Sequence, residues 1–171
     1  MRLYLVRHAD AVSRDLPGYA HDERRPLTPT GQQQAADVGR ALKRLEALIR
    51  VVATSPYVRA VETAEGLRRA FDVRLPMKEL PEMRSEADPK STSVALKALA
   101  AHEGVALVGH EPHISAWLSL LVTGRADALR CQFKKAAVAC VDIDEVPPPD
   151  GSGTLRWFLT PKQLRAIGDS A

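Results

Sequence analysis

Leu3-Tyr4-Leu5-Val6-Arg7-His8-Ala9-Asp10 is the stretch whose reading decides the fold. Its apolar run is too short to span a membrane and is bounded at once by polar residues, so it reads as a buried strand. That strand delivers an arginine and a histidine to its carboxyl end. In open α/β sheets, ligands occupy the crevice outside the carboxyl ends of the strands, so these two side chains are candidates for chemistry on an anion. The arrangement recurs a hundred residues later, where Val105-Ala106-Leu107-Val108-Gly109 runs into His110. Two strands, each ending in a histidine, predict one shared pocket.

Working outward, Ser13 to Arg25 mixes proline, glycine and charge without a period and reads as a loop. Thr28-Pro29 offers a helix N-cap with proline at the first helical position, and Thr30 with Gln33 offers a competing capping box. Ala35, Val38, Leu42, Leu45 and Ile49 then recur at helical spacing. Val51 to Thr54 reads as a second buried strand. Ser55 as N-cap and Pro56 after it predict a helix carrying Arg59 in its first turn and Ala60, Thr63 or Ala64, Leu67 and Phe71 on its apolar face. Val73 to Met77 reads as a third strand, followed by an irregular acidic stretch with Glu79, Glu82, Glu86 and Asp88. Ser91 or Thr92 caps a helix containing Val94, Leu96, Leu99 and Ala100. Glu111-Pro112 opens another through Ile114, Trp117, Leu118, Leu121 and Val122, stopped by Gly124. Ala137 to Ile143 and Leu155 to Leu159 read as late strands, and Thr160-Pro161 starts a last short helix.

Strands alternating with helices predict a three-layer α/β sandwich, a mostly parallel central sheet with helices on both faces. The late strand pair could add an antiparallel edge. A chain of 171 residues, 45% hydrophobic and 26% charged, suits one domain over residues 1–171. The net charge of +3 is too slight for a nucleic-acid partner but suits phosphorylated substrates. Neither a signal peptide nor a membrane-spanning run is expected, and the two cysteines, Cys131 and Cys140, read as reduced thiols of a cytoplasmic protein.

If the strands are parallel neighbours, Arg7, His8, Arg59 and His110 face one rim. Arginines bind phosphate through a planar fork, helix N-termini supply backbone donors, and a neutral imidazole in such a cradle is a nucleophile toward phosphorus. His110-Glu111-Pro112-His113 has a zinc-like spacing but no evident third ligand, so no metal is expected. Trp117 reads as core and His113 as a pocket or helix-capping residue. His21 and His102 read as surface residues, while Arg24 or Arg25 reaches the rim if the early loop folds back.

Arg7-His8-Ala9, Leu27-Thr28-Pro29-Thr30-Gly31, Ser55-Pro56-Tyr57-Val58-Arg59-Ala60 with Thr63, and Val108-Gly109-His110-Glu111-Pro112 together resemble, in order, the landmarks of the histidine phosphatase superfamily, with its phosphoglycerate mutase-like fold. The chain is most similar to the small bacterial phosphohistidine phosphatases of the SixA type. The resemblance implies a covalent phosphohistidine on His8, held by Arg7, Arg59 and His110, with no metal or other cofactor. It implies a phosphohistidine protein as substrate, with a small phosphomonoester as the alternative, and an open groove without a long lidding insertion. A phosphate-binding regulatory module that has lost turnover is the rival from another class. Two positions depart from the family pattern. Ala9 replaces its commonest glycine, which is tolerated only if φ there is not positive. For the leaving-group acid Glu82 is the best positional match, with Glu79, Glu86, Asp10 and Glu111 as alternatives.

Overall fold

The structure is a computed structural model that describes residues 1–19, 21–72 and 74–169. Six strands form one sheet in the order β3-β2-β4-β1-β5-β6, with β1 Arg2–Arg7, β2 Val51–Thr54, β3 Met77–Glu79, β4 Gly104–Gly109, β5 Val138–Asp142 and β6 Thr154–Leu159. The first four strands run parallel, and β5 pairs antiparallel with both β1 and β6. The antiparallel strand thus lies one place in from the edge, and β6 at the edge runs with the parallel set. β2 and β4 are buried along their whole length, as the unbroken apolar runs require of parallel strands covered on both faces.

Helices α1 (Pro29–Arg44), α2 (Val58–Arg69) and α5 (Pro161–Asp169) cover one face. Ala35, Val38, Leu42, Ala60, Ala64, Leu67 and Leu164 pack there on Tyr4, Val6, Val52, Ala106 and Val108. Helices α3 (Pro89–Ala95) and α4 (His113–Thr123) lie on the other face. There Leu96, Leu99, Ile114, Trp117 and Leu121 meet Leu3, Leu5, Val51, Ala53, Val105 and Leu107. Trp117 is fully buried in this layer, and its indole donates to Ser93 Oγ at 3.0 Å. The three-layer sandwich expected from the alternation is therefore the observed architecture.

Several element boundaries differ from the sequence reading, each for a local reason. Thr28 caps α1, its hydroxyl accepting from the Gly31 amide at 3.0 Å, so the Thr30 alternative is not used. Glu46, with φ of 52°, turns the chain after α1. Leu45 and Ile49, which continue the helical spacing, consequently lie beyond the helix, Leu45 exposed and Ile49 buried. α2 starts at Val58 with Tyr57 as N-cap rather than at Pro56; the Ser55 hydroxyl contacts His110 instead of capping a helix. The third strand is Met77–Glu79 rather than Val73 to Met77. Pro76 has no amide to give, and its carbonyl accepts from Val52, while Val73 lies outside the described residues. Asp88, accepting from the Lys90 amide, caps α3 in place of Ser91 or Thr92. Val94 on that helix is exposed, whereas Leu96 and Leu99 turn inward on a following 3-10 turn. α4 begins at His113, two residues later than Glu111, and Gly124 at φ 78° stops it as expected.

Gly109 ends β4 where the Pro81–Met83 turn crosses the sheet. A Cβ at this position would sit 2.7 Å from Met83 Cε and 3.3 Å from its carbonyl oxygen, so glycine lets the two segments approach without displacing the Met83 side chain.

Candidate active site

β1 and β4 are adjacent and in register, with Arg7 opposite Gly109, so His8 and His110 leave the sheet side by side. Their rings lie 5.0 Å apart between centroids. β2 is the next strand beyond β4, and the chain leaving it enters α2, whose first turn brings Arg59 to the same rim. The Arg59 Nε–H donates to His8 Nε2 at 3.2 Å. Arg7 approaches from the end of β1, its Nη1 donating to the Phe133 carbonyl at 2.5 Å. All four side chains predicted from the sequence thus meet at the carboxyl edge of the parallel strands.

His8 is held in one tautomer. Its Nδ1 lies 2.7 Å from the Ala9 carbonyl, which can only accept, so Nδ1 carries the proton and Nε2 carries the lone pair. Burial pushes its pKa from 6.5 down to about 3, and Arg59, Arg7 and Lys135 add to the shift. Burial likewise takes His110 to about 2, with His8 and Arg59 contributing. Both rings are therefore neutral at neutral pH. His110 Nε2 is 2.8 Å from Ser55 Oγ, and the Tyr57 ring packs on His110 with centroids 4.8 Å apart. The guanidinium of Arg59 lies over the same Tyr57 ring, 5.0 Å from its centroid.

Ala9 fits without strain, because among the described residues outside glycine only Glu46 and Ala136 have positive φ. Its amide donates to Thr63 Oγ1 at 3.0 Å, and the Thr63 hydroxyl donates to the Arg59 carbonyl at 2.6 Å. One buried hydroxyl therefore ties the loop after His8 to the helix that carries Arg59. Thr63→Val keeps the volume but leaves the Ala9 amide buried and unpaired, which should destabilise the fold by about 1–3 kcal/mol, with Thr63→Ser nearly restoring it. Urea unfolding of the two variants is the measurement, and equal stabilities would remove the tie.

The candidate acids fall in different places. Asp10 accepts from Lys135 at 2.6 Å and from the Thr28 hydroxyl at 2.7 Å, bracing the start of α1. Glu111 Oε1 accepts from Ser115 at 2.6 Å and from the Phe133 amide at 2.8 Å, which steadies the residue whose carbonyl receives Arg7. Glu86 accepts from the Tyr57 hydroxyl at 3.1 Å, and Glu79 is exposed on β3. Glu82 lies on the turn against Gly109, half-buried, with only its backbone carbonyl bonded, to the Thr92 hydroxyl at 2.6 Å. His113 is buried on the far side of that contact, its Nε2 2.8 Å from Thr92 Oγ1, so it is a packed core histidine rather than a helix cap. Among the described residues no group of three His, Cys, Asp or Glu side chains could hold a metal ion.

Asp22 is a site residue that the sequence reading missed. The early loop folds back so that the Asp22 carbonyl accepts from Arg59 Nη1 at 2.6 Å and its carboxylate from Nη2 at 2.7 Å. Arg25 joins the same carboxylate at 2.6 Å, which is how that arginine reaches the rim, whereas Arg24 closes the one-turn helix Asp22–Arg24 and is exposed. The surroundings of His8 are less open than the lack of a long insertion suggests, and it keeps 6% of its surface exposed. His21, as expected, is on the surface.

A sandwich with paired histidines and arginines at its carboxyl edge defines a phosphoryl-handling enzyme, and residues 3–88 match the model of the histidine phosphatase superfamily, branch 1. The chain belongs to that superfamily and is a phosphatase. It is 30% identical over 168 residues to the phosphohistidine phosphatase SixA of Escherichia coli K12, covering 96% of this chain and 97% of that one. Among solved structures, that of the protein histidine phosphatase SixA complexed with tungstate is similar with a TM-score of 0.82 and 28% identity, over 96% of this chain and 99% of that one. The alpha-ribazole phosphatase of Shigella flexneri shares the fold at a TM-score of 0.74 and 18% identity, over 94% and 97% of the two chains.

Proposed function

We propose that the chain is a phosphohistidine protein phosphatase that works through a phosphohistidine on its own His8. The observation that carries this reading is the fixed tautomer: Nδ1–H is bound to the Ala9 carbonyl, so the Nε2 lone pair is directed at Arg59, the group that would hold the phosphoryl oxygens. In the first step Nε2 attacks phosphorus and the bond to the substrate's imidazole nitrogen breaks, the imidazole leaving with a proton. In the second, water attacks phosphorus and gives a proton to the carboxylate that protonated the leaving imidazole, the bond to Nε2 breaks, and inorganic phosphate departs with His8 neutral again. The scheme needs neither metal nor cofactor. Arg7, Arg59 and His110 stabilise the charge on the transferring group; removing one such donor typically slows a reaction by about 10²- to 10³-fold. Arg7 Nε and His110 Nδ1 are buried with no hydrogen-bond partner, and a phosphoryl group seated here would give them one.

Glu82 is assigned as proton donor to the leaving group, since Asp10 is held by Lys135 and Thr28, Glu111 by the Phe133 amide and Glu86 by Tyr57. The likeness to SixA over nearly the whole chain, and the tungstate held by that enzyme, support a phosphohistidine substrate carried on a protein. A cytoplasmic location fits the free thiols of Cys131 and Cys140, and no helix among the described residues is long and apolar enough to cross a membrane. The test compares kcat/KM on a phosphohistidine-bearing protein domain with that on a panel of small phosphomonoesters. The protein substrate is expected to lead by at least about tenfold. A small ester turned over equally well would reassign the substrate class.

A further inference from the structure

We infer that Asp22 is a positioning residue for the phosphoryl-transfer step: by gripping the outer edge of Arg59 it aims the Nε edge of that guanidinium at the nucleophilic nitrogen of His8. The inference rests on the reading of the site as a phosphotransfer cradle and adds to it a residue outside the four that line it.

Arg59 is 3% exposed, and its bonded donors divide between two sides. Nε–H goes to His8 Nε2 at 3.2 Å. Nη1 and Nη2 go to the carbonyl and the carboxylate of the single residue Asp22, at 2.6 and 2.7 Å. Two acceptors from one residue, one of them charged, fix the plane of the guanidinium as well as its position. What is left for a ligand is the Nε–H, freed once the His8 lone pair attacks phosphorus, and one further N–H on each terminal nitrogen. Asp22 is anchored in turn by Arg25, at 2.6 Å through Nη2 and 2.9 Å through Nε, while Arg25 Nη1 donates to the Val12 carbonyl at 2.7 Å. The one-turn helix Asp22–Arg24 is thereby tied to the loop that follows β1. An Arg59 side chain without this outer grip would keep its charge but lose its aim, and misplacement by about 1 Å can slow a reaction by roughly 10²-fold.

The sign of the effect separates this role from a neighbouring charge or a plug. Removing a carboxylate beside the cradle leaves it more positive, so on charge alone a phosphate or vanadate ion would bind more tightly. Loss of aim predicts the reverse.

The experiment uses the full chain with Asp22→Asn and Asp22→Ala, each assayed for aryl phosphate hydrolysis and titrated directly with orthovanadate, with thermal melting alongside. Asp22→Asn retains the carbonyl contact and is expected to lose on the order of tenfold in kcat/KM, and Asp22→Ala more. Vanadate binding should weaken by a similar factor while the melting temperature moves little, and Asp22→Glu should recover part of the loss. Tighter vanadate binding with an equal or faster rate would make Asp22 a competitor for the cradle and overturn the inference, as would rates and affinities unchanged in both variants. A wild-type protein that binds vanadate without hydrolysing any phosphate would defeat the proposed activity alone, because the two variants would still report on aim through binding. No vanadate binding by the wild type would remove the cradle and this inference with it.

Discussion

Replacing His8 with alanine is expected to lower kcat on any phosphorylated substrate by at least about 10⁴-fold, the scale on which loss of a nucleophile is felt when the rest of a site survives. Among the described residues of the site, Nε2 of His8 is the nitrogen shown by its hydrogen bonds to be both unprotonated and paired with an arginine. His110 is neutral as well, but its Nε2 contacts the Ser55 hydroxyl rather than an arginine, so it is not poised to take over. The rate loss should be accompanied by loss of a specific chemical species. Brief incubation of the wild type with a labelled phosphoryl donor should leave a label that acid removes and alkali does not, the behaviour of a phosphorus–nitrogen bond to imidazole. His8→Ala should carry none. Arg59→Ala, by contrast, should still be labelled, slowly, because it lacks a stabilising donor and not the bond-forming atom. Labelled His8→Ala protein would transfer the role of nucleophile to another residue, with the fold otherwise unaffected.

The convergence of these side chains was legible in the sequence because it depends on strand order and strand ends. Short apolar runs finishing in Arg7-His8 and in Gly109-His110 place their polar residues at the sheet's edge whatever the loops do, and β1 and β4 are neighbours. Helix starts were less legible where a serine or threonine had a better partner elsewhere. Ser55 next to a proline has the pattern of an N-cap, yet its hydroxyl meets His110; Thr92 has the same pattern, yet its hydroxyl lies between the Glu82 carbonyl and His113. Both competitors come from distant parts of the chain and leave no local trace. Asp22 was invisible for a similar reason. It sits in a charged, aperiodic loop whose only clue is that Asp22, Arg24 and Arg25 cluster there, and nothing in that spacing shows which arginine of another element the carboxylate will meet. Acids near the surface resist assignment by spacing too: Asp10 and Glu111 lie within two residues of His8 and His110 in sequence but turn to Lys135 and to the Phe133 amide.

Acid should unfold this protein before it protonates His8 in the folded state. Burial lowers the pKa of His8 from 6.5 to about 3, of His110 to about 2 and of His113 to about 4. The unfolded chain takes up these protons as the pH falls through about 6.5, whereas the folded chain takes them up only at the lower values. The unfolded state therefore binds more protons throughout this interval, and stability rises with pH. The contribution is fully present above about pH 6.5 and is lost as the pH falls from there to the folded values, about 4 for His113, about 3 for His8 and about 2 for His110. With three histidines acting together the slope approaches roughly 4 kcal/mol per pH unit. Against a total stability of about 5–10 kcal/mol, that brings the unfolding midpoint to about pH 4 to 5. Urea denaturation at intervals from pH 8 to pH 5 is the measurement. His113→Asn, which touches no phosphate-binding side chain, should reduce the slope by about one-third. A stability that stays level from pH 7 to pH 5 would mean that these rings are not buried neutral. Because His8 itself stays unprotonated through this range, activity lost at pH 5 should return in proportion to refolded protein and should not follow a single histidine titration near pH 6.5.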